Sequence, residues 1–496
     1  MAVICCPGST ARYAPYSTHS ATRATLPARP APPHFLQVDR PAESSQYSTS
    51  VSQERCVQAL QGEQHLEGGT AYRQVRPAEE VDVVLLHSHP GGHGWQTMSG
   101  PDRDCESSYA NLVRELTGLP LVGMTLASDD STWSARHWNL GVGQDVDCTH
   151  CANVRVIGDR LAVSWNDAVC PAPRSTDSQV RTVSAWGDQR QADLARRRIL
   201  VVGAGSVGLD VAIRLAASGL CHLTIMDFDL VEERNLDRLI GARRRDVRLR
   251  RAKIHVARRE AAAAATAADG AIAVSDRSIC EPAGLDLALD HDLIFSCVDR
   301  PWPRAVLNSL AYSDLIPVID GGIAIDTFDD GTMRNATWRS HVIRPGRACM
   351  ACNGQLDMGS VTADRQGFFE DPRYIARAGQ AAVPAGQNVA PLSINVAASL
   401  LAQYVSFSVA PAGFGEPGPL QYALSTHQLD RLGRSSRPHC SVEPDAGVGN
   451  RRTELTGRHE RAEQQRMLAK SVGAATRLLR WVDGRAQSAA CFLDRL

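Results

Sequence analysis

Lysine is almost absent from this chain of 496 residues. Of its 53 basic residues, only Lys253 and Lys470 are lysine, so a lysine kept at a special position carries weight. A surplus of either charge is also missing, since the net charge is −1. No overall field therefore favours nucleic acid or a membrane, and neither is expected as a partner. With 43% hydrophobic and 22% charged residues, the composition excludes collagen-like, coiled-coil and wholly disordered proteins.

Acidic residues are missing from positions 1–38, and the apolar run at the N-terminus is short. A secretory signal peptide needs a longer apolar run, so we expect none here. The Pro-, Ser- and Thr-rich composition predicts a disordered tail over residues 1–50. An organellar transit peptide is the alternative, because arginines are present without acidic residues.

Charged residues are missing from positions 378–415, which raises the question of a membrane span. Polar amides such as Asn388, Asn395 and Gln403 interrupt the stretch, and they would lack partners in lipid. We therefore predict a buried helix at about 391–409 instead. Its apolar face would consist of Leu392, Val396, Leu400 and Phe407.

Fourteen cysteines are scattered along the chain and do not form a compact secreted module. This distribution is typical of the reducing cytosol, where a C-x-x-C pair indicates metal more often than a disulfide. We therefore predict a cytoplasmic protein.

Strands and helices alternate along most of the chain. The first clear elements are a strand at 81–90, a helix near 101–117 and a strand near 120–127. From about residue 199 the alternation is that of a parallel, doubly wound sheet, so the fold class is α/β. The predicted segments are a disordered tail (1–50), a first domain (51–165), a linker (166–180), a Rossmann-like second domain (181–450) and a C-terminal helical extension (451–496).

A glycine-rich loop joins the strand at 199–202 to the next helix. It places Gly203, Gly205 and Gly208 where the chain must turn tightly and approach a ligand closely. The helix N-terminus then offers free N–H groups and a positive dipole end to a phosphate. Asp227 ends the following strand, where its carboxylate can bond a ribose hydroxyl. The loop alone indicates nucleotide binding without specifying the chemistry.

The residues after this loop carry unusual charge for a dinucleotide site. Asp229 and Arg238 lie in the segment DFDLVEERNLDR, Lys253 follows, and Asp299 comes after a later strand. An enzyme that cleaves ATP between its phosphates needs cations for the oxygens and a carboxylate for Mg²⁺. This pattern favours ATP over NAD. A nicotinamide- or flavin-dependent oxidoreductase and a non-catalytic scaffold remain the alternatives.

The ordered motifs GAGSVG, D-x-D-x-V-x3-N-L-x-R, the later lysine and SCVD resemble the ThiF/MoeB/E1 activating enzymes. The resemblance covers about residues 180–450. It implies ATP-dependent adenylation of the C-terminal glycine of a ubiquitin-like or sulfur-carrier protein. It also implies a homodimer, and an E2-like conjugating protein as a further partner.

The resemblance implies a role for each acidic residue of these motifs. Asp227 would hold the ribose, with Asp229 beside it in the ATP site. Asp299 would bind Mg²⁺ and act in catalysis.

The basic and amide residues of the motifs would contact the phosphates. Asn235 would bind ATP, and Arg238 and Lys253 would take part in catalysis. The family also uses an upstream arginine, for which Arg181 is the candidate.

A C-x-x-C pair, Cys349 and Cys352, has the spacing of a zinc site. The related enzymes often have a second such pair near the C-terminus, where this chain has Cys440. His439 or Glu443 would complete four ligands. A weaker zinc candidate is the C-x-x-C pair at 148–151.

Some related enzymes carry a nucleophilic cysteine in the segment that follows the zinc pair. Residues 353–439 contain no cysteine, which excludes a thioester on that segment. We therefore expect the acyl-adenylate to pass to a partner's thiol. Cys440 or Cys491 as a displaced nucleophile is the less favoured alternative.

The first domain contains a His-x-His pattern in the strand at 81–90. His87 and His89 face the same side of a strand, and Asp102 on the next helix can supply a third ligand. Three protein ligands and one open position are typical of catalytic zinc. With Ser99, which would stabilise an oxyanion, the pattern resembles the JAB/MPN+ (JAMM) metallopeptidases.

The JAB/MPN+ resemblance also requires an upstream glutamate as general base, for which Glu43 and Glu54 are candidates. A domain that trims ubiquitin-like tails, fused to one that activates them, resembles the fusions of bacterial ubiquitin-like conjugation operons. The expected cofactors are thus ATP with Mg²⁺ in the second domain, and Zn²⁺.

Overall fold

The computed structural model describes two short strands near the N-terminus and residues 83–140, 146–371, 388–433 and 435–493. Chain contacts divide it into two units. The first comprises residues 1–155 and 163–171, and the second comprises 156–162 and 172–496. The general-base candidates Glu43 and Glu54 lie outside the described residues, as does most of the predicted tail.

The first unit is built on one seven-stranded sheet with a helix. Its elements are β1 (Ala2–Pro7), β2 (Thr22–Ala24), β3 (Val83–His89), α1 (Gly100–Thr117), β4 (Leu121–Ala127), β5 (Thr132–Leu140), β6 (Val146–Ile157) and β7 (Leu161–Trp165). The strand order is β2-β1-β6-β5-β4-β3, and β7 pairs with β6. β3 and β4 are parallel because α1 connects them, whereas β4, β5 and β6 are antiparallel neighbours.

Local sequence explains where α1 begins and ends. Ser99 caps its N-terminus, and Asp102 completes a reciprocal capping box. Gly118, with φ 72°, ends it in the left-handed conformation that glycine adopts at no steric cost. The buried side of α1 includes Tyr109 and Val113, which join the core of the unit.

The second unit contains an eight-stranded sheet with helices. Its strands are β8 (Arg198–Val202), β9 (His222–Met226), β10 (Ala271–Ser275), β11 (Leu293–Ser296), β12 (Val318–Thr327), β13 (Met333–Ile343), β14 (Leu420–Ala423) and β15 (Gln428–Arg431). Its helices are α2 (Val180–Trp186), α3 (Asp188–Ala195), α4 (Ser206–Ala217), α5 (Arg244–Arg248), α6 (Lys253–Ala264), α7 (Pro282–Leu289), α8 (Pro301–Ser313), α9 (Met358–Arg365), α10 (Ala390–Val409), α11 (Glu460–Lys470) and α12 (Ala474–Leu493).

The sheet of the second unit is mixed, which corrects the prediction of a parallel sheet. The order is β10-β9-β8-β11-β12-β13-β14-β15, and the first five strands are parallel. The last three are antiparallel because β12 and β13 are joined directly by a short turn. The sequence did not predict these antiparallel strands. β12 is buried over its first four residues and becomes half-exposed beyond them, so the continuous apolar pattern of a buried parallel strand ends there.

Helix α10 confirms the predicted buried helix. Leu392, Val396, Leu400 and Phe407 are all buried, and the helix packs on β12, β13 and α4. Among the described residues, α10 is also the helix that is long and apolar enough to cross a membrane by length and composition. The buried amide nitrogen of Gln403 donates to the carbonyl of Gly418 at 2.9 Å, so this donor has its partner inside the protein.

Candidate functional site

The glycine loop between β8 and α4 depends on two close backbone approaches. Gly203 has φ 98°, and a Cβ there would lie 2.5 Å from the carbonyl oxygen of Cys297. A Cβ on Gly208 would lie 1.8 Å from the carbonyl oxygen of Gly203, so the helix can pack here only without a side chain. Around Gly205, by contrast, the position of a Cβ is open, and this residue precedes α4 as its N-cap without a side-chain hydrogen bond. The loop therefore presents helix N–H groups to an open space.

Asp227 follows β9 and faces this loop. Its carboxylate accepts hydrogen bonds from the backbone N–H of Ala204 at 2.7 Å and of Asp229 at 2.7 Å. Burial raises the pKa of Asp227 against the opposing charge of Lys253. The carboxylate is thus fixed beside the glycine loop, as a ribose ligand would require.

Asp229 and Lys253 form an ion pair at the start of α6. The Lys253 Nζ donates to Asp229 Oδ2 at 2.8 Å. Burial alone would lower the pKa of Lys253, but Asp227 and Asp229 outweigh it and raise the pKa. Burial alone would raise the pKa of Asp229, but Lys253 and Arg461 outweigh it and lower the pKa. Both groups therefore carry full charge at neutral pH.

One cavity of about 1710 Å³ contains most of the residues predicted for ATP binding. Its lining includes Gly203, Gly205, Asp227, Asp229, Asn235, Arg238, Lys253 and Asp299. Gly208 lies just behind it, where it permits close packing of α4. Arg181 is on α2, is exposed, and does not line the cavity. Six of the seven predicted polar residues of the ATP site thus meet, and they come from three separate parts of the sequence, 227–238, 253 and 299.

Asn235 and Arg238 belong to a single turn that follows β9. The Asn235 Oδ1 accepts from the N–H of Glu232 at 3.0 Å, which shapes the turn. The Arg238 guanidinium donates to the carbonyl of Arg234 at 2.6 Å and to Asp237 at 2.8 Å. Arg238 is thus held at the cavity wall by its own turn.

Asp299 follows β11 at the carboxyl end of the parallel strands, where ligands bind in such sheets. Asp299 is exposed to the cavity. Burial lowers the pKa of Lys253, whereas Asp227 and Asp229 raise it, and the charge of Asp299 adds a smaller increase. The next residue, Arg300, pairs with Asp364 and Glu370 across the cavity. A carboxylate at this place has the oxygen chemistry that Mg²⁺ prefers.

Sequence reasoning missed a group of cavity residues from the C-terminal part of the chain. Arg458, His459, Glu460, Arg461 and Gln464 line the cavity as well. No sequence motif identifies them, because the pattern of residues 451–496 indicates only a charged helical extension. Their position depends on contacts with residues more than a hundred positions away.

Cys349, Cys352 and Cys440 form one cluster in the second unit, with ligand atoms within 4.8 Å of one another. The sulfur atoms of Cys349 and Cys440 are 3.7 Å apart. The N–H of Arg437 donates to Cys352 at 3.3 Å, and that of Glu443 donates to Cys440 at 3.4 Å. Burial would raise the pKa of Cys352, but hydrogen bonds from the N–H of Arg437 and from the thiols of Cys440 and Cys349 together outweigh it and lower the pKa. The donor set fits Zn²⁺.

The fourth ligand of this cluster does not follow from the geometry. His439 is exposed, and the carboxylate of Glu443 accepts from the N–H of Gly346 at 3.2 Å and lies near Ser436. The weaker candidates, Cys148 and Cys151, belong to neither of the metal-competent clusters among the described residues. They are three positions apart on β6, so their side chains point to opposite faces of the sheet.

The first unit brings His87, His89 and Asp102 together, with ligand atoms within 4.8 Å. The Nε2 atoms of the two histidines are 3.2 Å apart, and Asp102 Oδ2 is 3.5 Å from His89 Nε2. Burial lowers the pKa of His87, which favours the neutral imidazole that binds metals. The donor set fits Zn²⁺ with one position open.

Two neighbours shape this histidine cluster. The Ser99 hydroxyl donates to Asp102 at 2.7 Å and accepts from the Asp102 N–H at 3.2 Å, so it orients the carboxylate as part of the helix cap. Glu106, one turn further along α1, is buried and lies 3.9 Å from His87 Nδ1. Its charge is balanced by a buried ion pair with Arg136. Glu106 carries no sequence signal, because only the sheet brings Arg136 beside it.

The chain is similar to known proteins. The chain is 31% identical over 189 residues to the adenylyltransferase and sulfurtransferase UBA4 of Yarrowia lipolytica, covering 36% of this chain and 45% of that protein. It is 30% identical over 150 residues to the molybdopterin-synthase adenylyltransferase of Escherichia coli, covering 28% and 58%. The chain thus spans about half the length of the curated relatives it matches.

Among solved structures, E. coli MccB with ATP is 19% identical, with a TM-score of 0.41, over 54% of this chain and 74% of that one. A profile of the ThiF family matches residues 176–442, which is more than half of the chain. This match contains the glycine loop, the Asp229–Lys253 pair and Asp299. The chain therefore belongs to the ThiF family.

Proposed function

We propose that the second unit catalyses ATP-dependent adenylation of the C-terminal glycine of a ubiquitin-like or sulfur-carrier protein. The observation that carries this proposal is the Asp229–Lys253 pair beside the glycine loop, in one cavity with Asp227, Arg238 and Asp299. The relatives named adenylyltransferases support the same reaction. The proposal includes a homodimer, an E2-like partner and a cytoplasmic location.

The chemistry joins two anions and needs little covalent help. A carboxylate oxygen of the terminal glycine attacks the α-phosphorus, and the bond to the bridging oxygen breaks, so that pyrophosphate leaves. Lys253 and Arg238 would neutralise phosphate oxygens and hold them in line with the attacking carboxylate. Asp227 would fix the ribose. Mg²⁺, when bound at Asp299, would supply further charge neutralisation.

The charge of the cavity distinguishes this reaction from the alternatives. A nicotinamide or flavin enzyme transfers hydride and needs no buried lysine held at full charge beside the phosphates. A scaffold without catalysis would not need the open space at Gly205. Both alternatives predict indifference to Lys253.

ATP–pyrophosphate exchange tests the adenylation. The full chain with a small protein ending in glycine should exchange label between pyrophosphate and ATP, and Lys253→Ala should lower the rate roughly 100-fold or more. Lys470, the other lysine, is exposed and does not line the cavity, so Lys470→Ala should leave the rate unchanged. Tight binding of NAD without exchange for any glycine-ending protein would refute the proposal.

We further propose that the first unit is a zinc-dependent peptidase or isopeptidase that processes the same modifier. The His87–His89–Asp102 cluster supports this second function, since it leaves a coordination position for water. Metal analysis of the full chain should show that His89→Ala removes one Zn²⁺, while His93→Ala, an exposed neighbour outside the cluster, removes none. Equal zinc content in both variants would refute the site. Cleavage of a modifier with a C-terminal extension, lost in His89→Ala, then tests the peptidase.

A further inference from the structure

The residues before and within α11 line part of the cavity that holds Asp229 and Lys253, and hydrogen bonds hold them there. The carbonyl of Leu455 accepts from the Trp302 indole N–H at 2.8 Å, and the N–H of Gly457 donates to the carbonyl of Cys280 at 2.8 Å. Further along, Arg466 donates to Glu281 at 2.8 Å. This segment follows the part of the chain that matches the ThiF family, which ends at residue 442. It thus supplies cavity residues from outside the matched range.

The ring of His459 contacts two aromatic side chains and helps to position the segment. Its ring makes edge contacts with Phe228 and with Trp302, each with centroids 5.0 Å apart. The His459 ring also bonds the Ser278 hydroxyl through Nδ1 at 2.8 Å. These contacts determine where the next turn of the chain enters the cavity.

Arg461 enters the cavity beside the acidic pair. Its Nη2 lies 3.1 Å from Asp229 Oδ1, and its guanidinium carbon lies 5.6 Å from the centroid of the Phe228 ring. Asp229 thus has two cationic partners, Lys253 and Arg461. The charges of Asp227 and Asp299 act on both cations as well. The bond to Asp229 uses Nη2, and a guanidinium has five N–H donors, so Arg461 can bind an oxyanion without releasing Asp229.

Both cations line the same cavity as the glycine loop and Asp227. Lys253, which would neutralise phosphate oxygens, pairs with the same carboxylate as Arg461, so Arg461 lies next to the cation assigned to the phosphates. We propose that Arg461 binds the phosphates of ATP, so that the C-terminal extension supplies a catalytic residue of adenylation within the same chain. This inference rests on the proposed function. It assigns to α11 a role that Arg181, exposed on α2, does not fill within this chain.

Binding of MgATP, magnesium pyrophosphate and adenosine to the full chain tests this assignment. In calorimetric titration, Arg461→Ala should weaken MgATP and pyrophosphate binding roughly 10- to 100-fold, the effect of a lost charge-assisted hydrogen bond. Adenosine binding should not change, since adenosine has no phosphate. Arg461→Lys should recover part of the affinity, because lysine restores the charge but lacks the planar set of N–H donors that lets a guanidinium bind two oxygens at once. Arg477→Ala, an exposed arginine of α12, is the matched control and should behave as wild type.

The possible results separate this inference from the proposed function. Unchanged MgATP affinity in Arg461→Ala, while wild type binds ATP and exchanges pyrophosphate, would overturn the inference and leave adenylation intact. An equal loss for adenosine would also overturn it, because the residue would then only hold the segment in place. A wild-type chain that binds no MgATP would overturn both.

Discussion

Buried histidines make the folded second unit sensitive to acid. Burial lowers the pKa of His291, His341 and His459 to about 4 in each case. His291 shows the reason most clearly. Its Nδ1 lies 2.9 Å from the carbonyl of Leu287, and its Nε2 lies 2.9 Å from the Thr224 hydroxyl. A carbonyl only accepts, so Nδ1 donates, and Nε2 of the neutral ring accepts from the hydroxyl.

We predict that His291 lowers the stability of the fold as the pH falls. Its pKa in the folded chain is about 4, below the ordinary 6.5, so the unfolded chain takes up the proton first. The stabilisation is complete above pH 6.5 and is lost between pH 6.5 and 4. Between pH 7 and pH 5 the free energy of unfolding should fall by about 2 kcal/mol, because each unit of pKa difference between the folded and unfolded chain corresponds to about 1.36 kcal/mol.

Urea unfolding of the full chain at pH 7 and pH 5 measures this loss. His291→Gln should be less stable at pH 7 but should lose about 2 kcal/mol less than wild type on acidification. The control is His427→Asn, because His427 is exposed and has φ 52°, a conformation that asparagine tolerates. Equal pH dependence in wild type and His291→Gln would contradict the prediction.

At the scale of elements, the ion pair between Arg466 and Glu281 helps to position α11. Arg466 donates to Glu281 at 2.8 Å and to the carbonyl of Asp276 at 3.1 Å, and both partners precede α7. Burial would raise the pKa of Glu281, but the bonds from Arg466 and from the N–H of Ser278 outweigh it and lower the pKa. The carboxylate is therefore charged at neutral pH and holds α11 by an ionic hydrogen bond.

We predict that Arg466→Ala loosens α11 without unfolding the sheet. The lost contacts should cost the segment about 1.5–3 kcal/mol of local stability. Hydrogen exchange should therefore accelerate roughly tenfold or more over residues 455–470 and stay unchanged in β8 and β11. Lys470→Ala, at the exposed end of the same helix, serves as control and should exchange as wild type does. Uniform acceleration across the sheet would contradict the prediction.

At the scale of the whole molecule, the chain combines two units with separate metal-competent clusters. The cluster of the second unit lies among the loops that follow β13 and β15, and Cys349, Cys352 and Cys440 tie those distant parts together. A metal there would connect residues 91 positions apart. Such a link stabilises the fold because the unfolded chain has no preformed site.

We predict that the cysteine cluster binds structural Zn²⁺. Cys440→Ser should lower the zinc content by one ion per chain and the unfolding temperature of the second unit by roughly 5–10 °C. Cys221→Ser is the matched control, since Cys221 is buried in the same unit outside the cluster and should cost stability without loss of zinc. Unchanged zinc content in Cys440→Ser, measured by mass spectrometry, would contradict the prediction.

Much of the second unit could be predicted from its local patterns. Strand β8, predicted at 199–202, and the buried helix α10, predicted at about 391–409, lie within one residue of their expected positions. The cavity also unites Asp227, Asp229, Lys253 and Asp299, because the carboxyl ends of parallel strands meet at one edge. Arg181 shows the limit of this reasoning, since its assignment came from the resemblance and not from a pattern in its own segment.

The sequence by itself determined the glycine loop, the strand that carries His87 and His89, and the capped start of α1. These features depend on residues only a few positions apart, for which backbone geometry and capping are decisive. Only the tertiary structure decided that Arg461 meets Asp229, 232 positions away, and that Glu106 meets Arg136. Long-range pairs leave no periodic trace in the chain, because the packing of whole elements brings them together.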